Sequence, residues 1–457
     1  MLDKLIALLD SERVKLDAES LQNLGKDWTT AYTPAPLAIV FPRSIEEVVS
    51  LVKLAGQHNV ALVPSGGRTG LSGGAVAMEG EIVVAFDKMN QILSFDATDR
   101  QLVCEPGCVT EQIQQFALEH DLCYPVDFAS SGSSQIGGNV ATNAGGIKVI
   151  RYGLTRDWVL GLKVVTGSGE LLDLNRGLIK NATGYDLRHL FIGSEGTLGL
   201  IVEVTLGLTS LPRNLTVMLL GVPDMPAAMQ VLQAFRSKLQ LTAFEFFSDL
   251  AMNHVISDKL LQHPLEATTP YYALVEFEQE DESALDVAME LFEQCMEQGW
   301  VLDGTISQNQ AQLQNLWRFR EDITETISRY SPYKNDISVK VSRVPDFLAE
   351  VEALVTDRYP DFEIIWFGHI GDGNVHLNIL KPDALGQQEF VQCCAKVSEG
   401  VFAIVQEFGG SISAEHGVGL LKKPFLNYAR TESEIAYMRS IKAVFDPAGI
   451  LNPGKIF

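Results

Sequence analysis

The chain has 457 residues, and its 35 basic and 58 acidic side chains give a formal net charge of −23 at pH 7. This length predicts about three structural units of ~150 residues each. The negative charge argues against a protein that binds nucleic acid, because contacts with phosphates are made mostly by lysine and arginine. It also argues against a general affinity for anionic lipid surfaces. The hydrophobic content of 46% is that of a globular chain with a sizeable core.

The N-terminal segment and the cysteines predict a cytoplasmic protein. Charges at Asp3, Lys4 and Asp10 interrupt the first apolar stretch, so it lacks the apolar core of a signal peptide. No run of 18 apolar residues occurs, and we expect no transmembrane segment. The six cysteines form no C-x-x-C pair and are expected to be reduced thiols. A peripheral association with the inner membrane is left open.

The first region of the chain predicts a mixture of strands and helices. Ser44, followed by two glutamates, marks the start of a helix that ends near His58. Residues 38–42 are expected to form a strand, and residues 61–67 a strand that runs into a glycine-rich loop. The apolar runs at 81–86, 101–107 and 159–172 continue this α/β character. This region carries most of the glycine-rich loops and ends near residue 213.

The second region predicts an α+β domain with an antiparallel sheet. Strands and helices are expected to alternate there, at residues 216–222, 225–239, 273–278 and 280–298. A helical insert at 311–329 and a β-hairpin at 363–380 follow. The last residues are too few for a domain, so we expect them to dock on the first one. The predicted domains span residues 1–213, 214–424 and 425–457.

Three glycine-rich loops in the first region predict a site for a cofactor that carries phosphate. Residues 64–74 follow a buried strand and contain five glycines, which let backbone N–H groups approach a phosphate closely. Residues 130–146 are rich in hydroxyls and amides and contain no acid, so they can surround a diphosphate without charge repulsion. Residues 193–199 form the third loop and open an apolar strand.

Three other motifs are not supported by their context. No G-x-G-x-x-G is present, so a Rossmann dinucleotide site is not indicated. The G-x-S-x-G match at residues 70–74 lacks the adjacent strand and helix that a nucleophile elbow requires. The match to a phosphate-binding P-loop at residues 449–455 lacks the Ser or Thr and the following helix.

Residues 367–378 predict a β-hairpin that carries two metal-binding histidines. With Asp372-Gly373 as a two-residue turn, His369 lies directly opposite His376, with Cβ atoms about 4.5–5.5 Å apart. Asn378 lies two residues further along, on the same face as His376. The alternative is a pair of surface histidines without a ligand.

A second histidine motif offers a third ligand. Glu415 stands beside His416 in a loop bounded by glycine. Two histidines and one carboxylate with an open position fit a catalytic Zn²⁺, although Mn²⁺ or Fe²⁺ fits as well.

The segment between Trp317 and Arg343 is basic in an otherwise acidic chain. Pairs four residues apart on a helix, Arg318–Asp322 and Glu325–Arg329, account for four of its charges. Arg320 and Thr324 have the same spacing on another part of the helix and could bind a carboxylate.

The three loops, in this order, resemble the flavin-binding domain of the vanillyl-alcohol-oxidase/p-cresol-methylhydroxylase (PCMH) superfamily. The matching motifs are P-S-G-G-x-T-x-L-x-G-G, G-G-N-x-A-T-N-A-G-G, G-S-E-G-T-L-G and the C-terminal N-P-G-K. The resemblance implies a two-subdomain FAD-binding domain of the PCMH type and an α+β substrate (cap) domain with an antiparallel sheet. It also implies a C-terminal helical segment that docks on the FAD domain.

In that family the loops bind FAD. The implied cofactor contacts in this chain are Pro64, Ser65, Gly66, Gly67, Arg68, Thr69, Gly70, Leu71, Ser131, Gly132, Gly137, Gly138, Asn139, Thr142, Asn143, Gly145, Gly146, Tyr152, Glu195, Gly196, Gly199, Ile201 and Asn452. Some family members attach the flavin covalently through a histidine in the first loop. This chain has Arg68-Thr69 there, so the resemblance implies non-covalent FAD.

Two further patterns, R-E-x-I-T at residues 320–324 and K-x-D-I-S at 334–338, resemble the D-2-hydroxyglutarate dehydrogenases. The resemblance implies substrate binding by Arg320, Thr324, Lys334 and Asn378. It also implies a divalent metal, in the first place Zn²⁺, on His369, His376 and Glu415, with His416 as the catalytic base. The spacing from Arg320 to Lys334 is one residue shorter than the family pattern.

The function implied is that of an FAD- and metal-dependent dehydrogenase that oxidises a D-2-hydroxy acid to the 2-oxo acid by hydride transfer to flavin N5. D-2-hydroxyglutarate is the expected substrate, with D-lactate or glycolate as the alternatives within the family. A metal-dependent hydrolase and a subunit that keeps FAD only structurally are alternatives from other classes. An electron-transfer flavoprotein or a quinone is the expected electron acceptor, and a homodimer is left open.

Overall fold

The computed structural model describes residues 1–279 and 283–457, which form two compact units. The first unit combines Met1–Gly145, Gly153–Leu211 and Glu415–Phe457, and the second combines Gly146–Tyr152 and Pro212–Ala414. The C-terminal residues therefore belong to the same unit as the N-terminal ones. The predicted domain bounds at residues 213 and 424 stay a prediction.

The first unit begins with a sheet whose strands are almost fully buried. Its strands, in the order β1-β2-β4-β3, are β1 (Val14–Lys15), β2 (Ala38–Val40), β3 (Leu62–Ser65) and β4 (Ile82–Ala85). Strands β2, β3 and β4 are parallel, so the first glycine-rich loop leaves the carboxyl end of β3 at one edge of the sheet. The predicted helix is present at Ile45–His58, and the Ser44 hydroxyl accepts the Glu47 N–H at 3.3 Å as its N-cap.

An antiparallel sheet of five strands forms the other part of the first unit. The remaining strands of this unit are β5 (Ile92–Asp96), β6 (Gln101–Cys104), β7 (Leu122–Cys123), β8 (Val159–Thr166), β9 (Leu171–Leu174), β10 (Gly199–Gly207) and β11 (Thr209–Ser210). The order in the sheet is β5-β6-β10-β8-β9, and β7 pairs separately with β11. The second glycine-rich loop leads into the short helix Ile136–Thr142, which packs on this sheet through Ile136 and Val140.

The other helices of the first unit are α-helices at Leu2–Leu9, Ala18–Leu24, Thr110–Glu119, Thr155–Trp158, Arg188–Phe191 and Glu432–Phe445, and 3₁₀ helices at Ser11–Arg13, Phe86–Lys88 and Lys423–Tyr428. The chain end docks in this unit as predicted, because Leu451 forms a parallel bridge with Leu62. The Lys455 ammonium donates to the Val76 carbonyl at 2.7 Å and fixes the last residues.

The second unit is built on one antiparallel sheet of seven strands. They are β12 (Leu215–Val222), β13 (Leu241–Ser248), β14 (Tyr271–Glu278), β15 (Asp303–Ile306), β16 (Tyr333–Ser338), β17 (Ile364–Gly368) and β18 (Asn374–Ile379), in the order β15-β12-β14-β13-β17-β18-β16. Every residue of β13 is buried, so the sheet is covered on both faces at its centre.

Three helices, Asp249–Lys259, Gln310–Glu321 and Ile323–Ser328, share a core with one face of this sheet through residues such as Phe247 and Trp317. The other helices of the unit are Met225–Arg236, Ser283–Glu297, Val344–Arg358, Gln387–Glu407 and the short segments Val149–Tyr152 and Val341–Arg343. Within the described residues, no helix has the length and apolarity needed to cross a membrane.

Two of the predicted helices differ in extent from the helices in the structure. The helical insert predicted over residues 311–329 is present, but as two helices, Gln310–Glu321 and Ile323–Ser328, with Asp322 between them. The break buries Ile323 and leaves Thr324 exposed to solvent. The helix predicted over 280–298 is present at Ser283–Glu297, whereas its predicted start, residues 280–282, lies outside the described residues.

Candidate active site

The three glycine-rich loops line one cavity in the first unit, with about 910 Å³ of empty space including its opening to solvent. The predicted cofactor contacts that line it are Pro64, Ser65, Gly66, Gly67, Arg68, Thr69, Gly70, Gly137, Gly138, Asn139, Thr142, Glu195, Gly196, Gly199 and Ile201. His416, predicted as a catalytic base, lines the same cavity. Loops from distant parts of the sequence therefore meet at one place.

Eight predicted cofactor contacts are not among the residues that line this cavity: Leu71, Ser131, Gly132, Asn143, Gly145, Gly146, Tyr152 and Asn452. Asn452 contacts two residues that line the cavity: its Nδ2 donates to the carbonyl oxygens of Gly74 at 2.9 Å and Glu195 at 2.7 Å. Tyr152 and Gly146 belong to the second unit, where the Tyr152 hydroxyl donates to Glu278 at 3.2 Å.

Sequence reasoning missed several residues of the cavity wall: Asp27, Ser72, Gly74, Ala75, Phe86, Pro106, Gln135 and Ala141. Gln135 carries the clearest signal, because it is a polar residue in the second loop that opens the helix Ile136–Thr142. Asp27 lies far from every loop motif in the sequence, and no pattern around it indicated its position.

Close backbone packing explains why glycine is needed in these loops. A Cβ atom on Gly67 would collide with the carbonyl oxygen of Ser133, so the first and second loops touch only because Gly67 has no side chain. Gly138 is different, since a Cβ atom there would meet no atom within 4 Å. Its α-carbon therefore faces the open space of the cavity.

The polar groups of the cavity fit a cofactor with phosphate, hydroxyl and N–H groups. Among the described residues, the buried Oε1 of Gln135 has no hydrogen-bond partner, which suits a ligand that donates to it. The Arg68 guanidinium makes two hydrogen bonds with Asp87, at 3.1 and 2.6 Å, and is held beside the first loop. Burial raises the pKa of the Asp27 carboxyl, which also lines this cavity.

The histidine hairpin of the second unit forms, but in a different register from the predicted one. His376 pairs with Phe367, not with His369, because β17 ends at Gly368 and residues 369–373 form a longer turn. The His369 carbonyl accepts the N–H groups of Asp372 at 3.1 Å and Asn374 at 3.2 Å, and these bonds stabilise the longer turn.

The two histidines still meet, because a shift of two residues keeps side chains on the same face of a strand pair. The ring centroids of His369 and His376 are 5.3 Å apart and the rings are nearly perpendicular, at 86°. Both residues are buried. The prediction of adjacent imidazoles is confirmed, although its predicted geometry was wrong.

Glu245 orients His369. Its two oxygens lie 2.8 and 2.7 Å from His369 Nδ1, which leaves Nε2 as the nitrogen suited to bind a metal. The Arg320 Nε is 2.8 Å from a Glu245 oxygen, close enough for an ion pair, although its N–H is not aligned for a hydrogen bond. Sequence reasoning missed Glu245, whose only signal was a lone acid in the apolar strand L-T-A-F-E-F-F-S.

Strands β16 and β18 place four polar side chains on one face. Asp336 pairs with His376 and Lys334 pairs with Asn378, and directly opposed residues of an antiparallel pair share a face. Asp336 is 1% exposed, and one of its oxygens lies 3.8 Å from His376 Nδ1. Asp336 was part of a predicted sequence pattern, but no role was assigned to it.

The predicted carboxylate-binding residues are in unlike environments. Arg320 is 5% exposed, and its guanidinium lies over the Phe367 ring, whereas Thr324 is on the surface. The structure therefore does not bring Thr324 together with Arg320. Lys334 is accessible to solvent, yet surrounding protein lowers its pKa by desolvation.

One of the two ion pairs predicted beside Arg320 forms in the structure. Arg318 does pair with Asp322, at 3.2 Å. Arg329 pairs instead with Asp258, at 2.8 Å, and Glu325 pairs with Lys259.

The donor set fits a divalent metal in its chemistry. Two neighbouring imidazoles, one of them oriented by a carboxylate, are typical of protein zinc sites. In the first unit, Glu415 Oε1 lies 3.8 Å from His416 Nε2.

Comparisons with known proteins bear on the cavity and the fold. Residues 36–175 match the family described as FAD binding domain, which identifies FAD as the cofactor, and residues 211–456 match FAD linked oxidases, C-terminal domain. The p-cresol methylhydroxylase structure with substrate bound aligns with a TM-score of 0.78 and 14% identity over 100% of this chain and 96% of that chain. This likeness confirms the predicted PCMH-type fold.

Two relatives match over nearly the whole chain. D-2-hydroxyglutarate dehydrogenase of Stutzerimonas stutzeri (strain A1501) is 61% identical over 457 residues, which cover 100% of this chain and 98% of that protein. The mitochondrial D-2-hydroxyglutarate dehydrogenase of Rattus norvegicus is 38% identical over 449 residues, which cover 97% of this chain and 82% of that protein.

We expect Gly138→Ala to weaken FAD binding without loss of stability. The added methyl group enters cavity space, whereas alanine favours the helix Ile136–Thr142 by about 0.5–1 kcal/mol relative to glycine. Fluorescence titration of the apoprotein with FAD and thermal unfolding measure the two effects. Gly386→Ala is the control, because a Cβ atom there also meets nothing within 4 Å but lies outside the cavity. Wild-type FAD affinity in Gly138→Ala would contradict the position assigned to the cofactor.

Proposed function

Since the chain belongs to the FAD-linked oxidase family, together with the D-2-hydroxyglutarate dehydrogenases, we propose that it oxidises D-2-hydroxyglutarate to the 2-oxo acid. The observation that carries the proposal is the position of His416, which lines the same cavity as the FAD loops. A base at this place can act on a substrate that lies against the flavin. The same cavity is hard to reconcile with a metal-dependent hydrolase, which has no use for FAD.

The proposed substrate is a dianion, and two cations of the second unit can orient it. Arg320 presents a planar fork of donors suited to a carboxylate, and Lys334 presents a single ammonium group. Lys334 lies on the strand face of Asn378, which we propose as a third substrate contact. D-lactate and glycolate, the alternative substrates, lack the second carboxylate, so one of these cations would have no substrate carboxylate to bind.

We propose that His416 acts as the general base and accepts the proton of the substrate hydroxyl. The neutral imidazole of a histidine can accept a proton and is therefore suited to act as a base. FAD, when bound, supplies the acceptor for the hydrogen that leaves the substrate Cα as a hydride. Arg320, Lys334 and Asn378 hold the substrate during both transfers. Thr324, which the family pattern also implies as a substrate contact, is exposed.

We propose a divalent metal, in the first place Zn²⁺, on His369, His376 and Glu415. A metal in this position would polarise the substrate hydroxyl and so favour loss of its proton. Glu245 supports this role because it fixes the ring of His369. Mn²⁺ and Fe²⁺ have suitable ligand preferences as well.

FAD is proposed to be non-covalent, because the first loop carries Arg68-Thr69 and no histidine. For the electron acceptor we propose an electron-transfer flavoprotein or a quinone, in a cytoplasmic setting. A homodimer stays a prediction.

Anaerobic reduction of the bound flavin by a panel of D- and L-2-hydroxy acids tests the substrate. We expect D-2-hydroxyglutarate to bleach the flavin at lower concentration than D-lactate, and Lys334→Ala to remove that difference. Because desolvation lowers the pKa of Lys334, the preference should decline as the pH rises through that pKa. An equal response of wild-type enzyme to both acids would favour the alternative substrates, and no bleaching by any acid would favour a structural role for FAD.

His416→Ala should keep FAD and lose flavin reduction by at least about 100-fold, the usual contribution of a general base. Stopped-flow absorbance under anaerobic conditions measures the rate, and the flavin spectrum measures cofactor content. His120→Ala serves as a control, because His120 is an exposed histidine of the same unit that packs on Phe116. Near-wild-type reduction by His416→Ala would remove the residue from the mechanism.

Treatment with EDTA should abolish flavin reduction while the flavin stays bound, and added Zn²⁺ or Mn²⁺ should restore it. Metal analysis before and after chelation gives the stoichiometry, which we expect to be one ion per chain. Full activity in enzyme shown to be free of metal would exclude the histidine pair from catalysis.

A further inference from the structure

Glu195 lies in the wall of the FAD cavity, yet both of its carboxylate oxygens are engaged by backbone. Oε1 accepts the N–H of Val418 at 2.7 Å, and Oε2 accepts the N–H of Gly419 at 2.8 Å. Glu195 is 7% exposed, so these bonds are largely shielded from water. Hydrogen bonds are stronger in such a shielded setting than in water. Desolvation raises the pKa of the Glu195 carboxyl, and these two bonds lower it. The two N–H groups belong to the loop that directly follows His416.

The backbone of Glu195 is itself held on both sides. Its N–H donates to the carbonyl of Ala141 at 2.8 Å, in the helix of the second glycine-rich loop. Its carbonyl accepts Asn452 Nδ2 at 2.7 Å, from the C-terminal segment. The backbone φ of +51° is unfavourable for glutamate and is kept only because these contacts enforce it. Glu195 is thus a fixed point in the cavity wall.

The loop after His416 is shaped to lie against this carboxylate. Gly417 has φ of +81°, and a Cβ atom on it would be only 3.0 Å from Glu195 Cδ. The N–H groups of Leu420 and Leu421 both donate to the carbonyl of Ser72 at 3.0 Å, which fixes the far end of the loop. The loop is therefore attached at both ends to the wall of the cavity.

We propose that Glu195 is a positioning residue, which acts by holding residues 417–419 and thereby fixes His416 in the FAD cavity. The sequence motif assigned Glu195 to cofactor binding, but both of its oxygens are already occupied by backbone donors. The inference rests on the proposed role of His416 as the base. Since a displacement of about 1 Å in a catalytic group can lower a rate about 100-fold, the contact affects the rate of flavin reduction more than FAD or substrate binding.

The test is Glu195→Gln in the holoenzyme. Glutamine keeps the size of the side chain but turns one oxygen into an NH₂ group, which faces a backbone N–H and cannot accept from it. We expect unchanged FAD content and substrate dissociation constant, and a rate constant of flavin reduction lower by about 10- to 100-fold. Amide hydrogen exchange of the peptide that contains Val418 and Gly419 should become faster.

Glu81→Gln is the matched control. Glu81 is also a buried carboxylate that accepts a backbone N–H, that of Glu79 at 2.6 Å, but it does not line the cavity. It should leave flavin reduction and the exchange of residues 417–419 unchanged. If Glu195→Gln does not accumulate as folded protein, Gly417→Ala disturbs the same contact from the other side and should give the same loss of rate.

A double variant separates positioning from a direct role. If Glu195 acts through His416, Glu195→Gln should cause no further loss in a His416→Ala background. Wild-type reduction by Glu195→Gln, loss of FAD from it, or a full additional loss in the double variant each overturns the inference. Wild-type reduction by His416→Ala would instead contradict the proposed base, so the two failures can be told apart.

Discussion

The close approach of backbone to backbone in the glycine-rich loops is the constraint on which the cavity depends. Gly67 lies against the carbonyl of Ser133, and this contact leaves no volume for any side chain. Because the loops touch through backbone, the cavity between them is lined mainly by small and uncharged groups. Such a wall can accept an anionic cofactor on a protein of net charge −23, since the acidic side chains of the chain are mostly elsewhere.

In the second unit, the main electrostatic constraint is a carboxylate buried in the sheet. Glu245 is fully buried in the middle strands of the sheet, and an isolated carboxylate there would be very unstable. His369 and Arg320 are both within ion-pair distance of it, so the three groups are mutually dependent. Removal of one partner from a buried pair typically costs about 3–5 kcal/mol. The acid that orients the proposed metal ligand is therefore also needed for the stability of the unit.

Local signals in the sequence predicted the elements that local interactions determine. The helix Ile45–His58 was predicted because its N-cap, Ser44, and its apolar spacing are adjacent in the chain. The turn of the histidine hairpin was predicted incorrectly, because Asp372-Gly373 favours a two-residue turn by itself. In the folded chain, the Gly371 N–H donates to the carbonyl of Phe244, and such a distant contact leaves no local trace.

The same distinction applies to the site residues. The glycine motifs and the paired histidines are contiguous in sequence, so they could be identified from composition and spacing. Glu245 is 124 residues from His369, and the contact between Glu195 and Val418 spans 223 residues. Contacts of this kind depend on the fold as a whole. A single sequence does not contain the information that would pair these residues.

The pairing of Arg68 with Asp87 sets a condition on any covalent link to the flavin from the first loop. Arg68 has φ of +60° and is anchored by two hydrogen bonds to a carboxylate on another segment. A change of Arg68 to histidine, the residue that would permit a covalent link, removes both bonds from this partly exposed pair. The gain of a histidine at this position is therefore coupled to the loss of an anchor of the first loop.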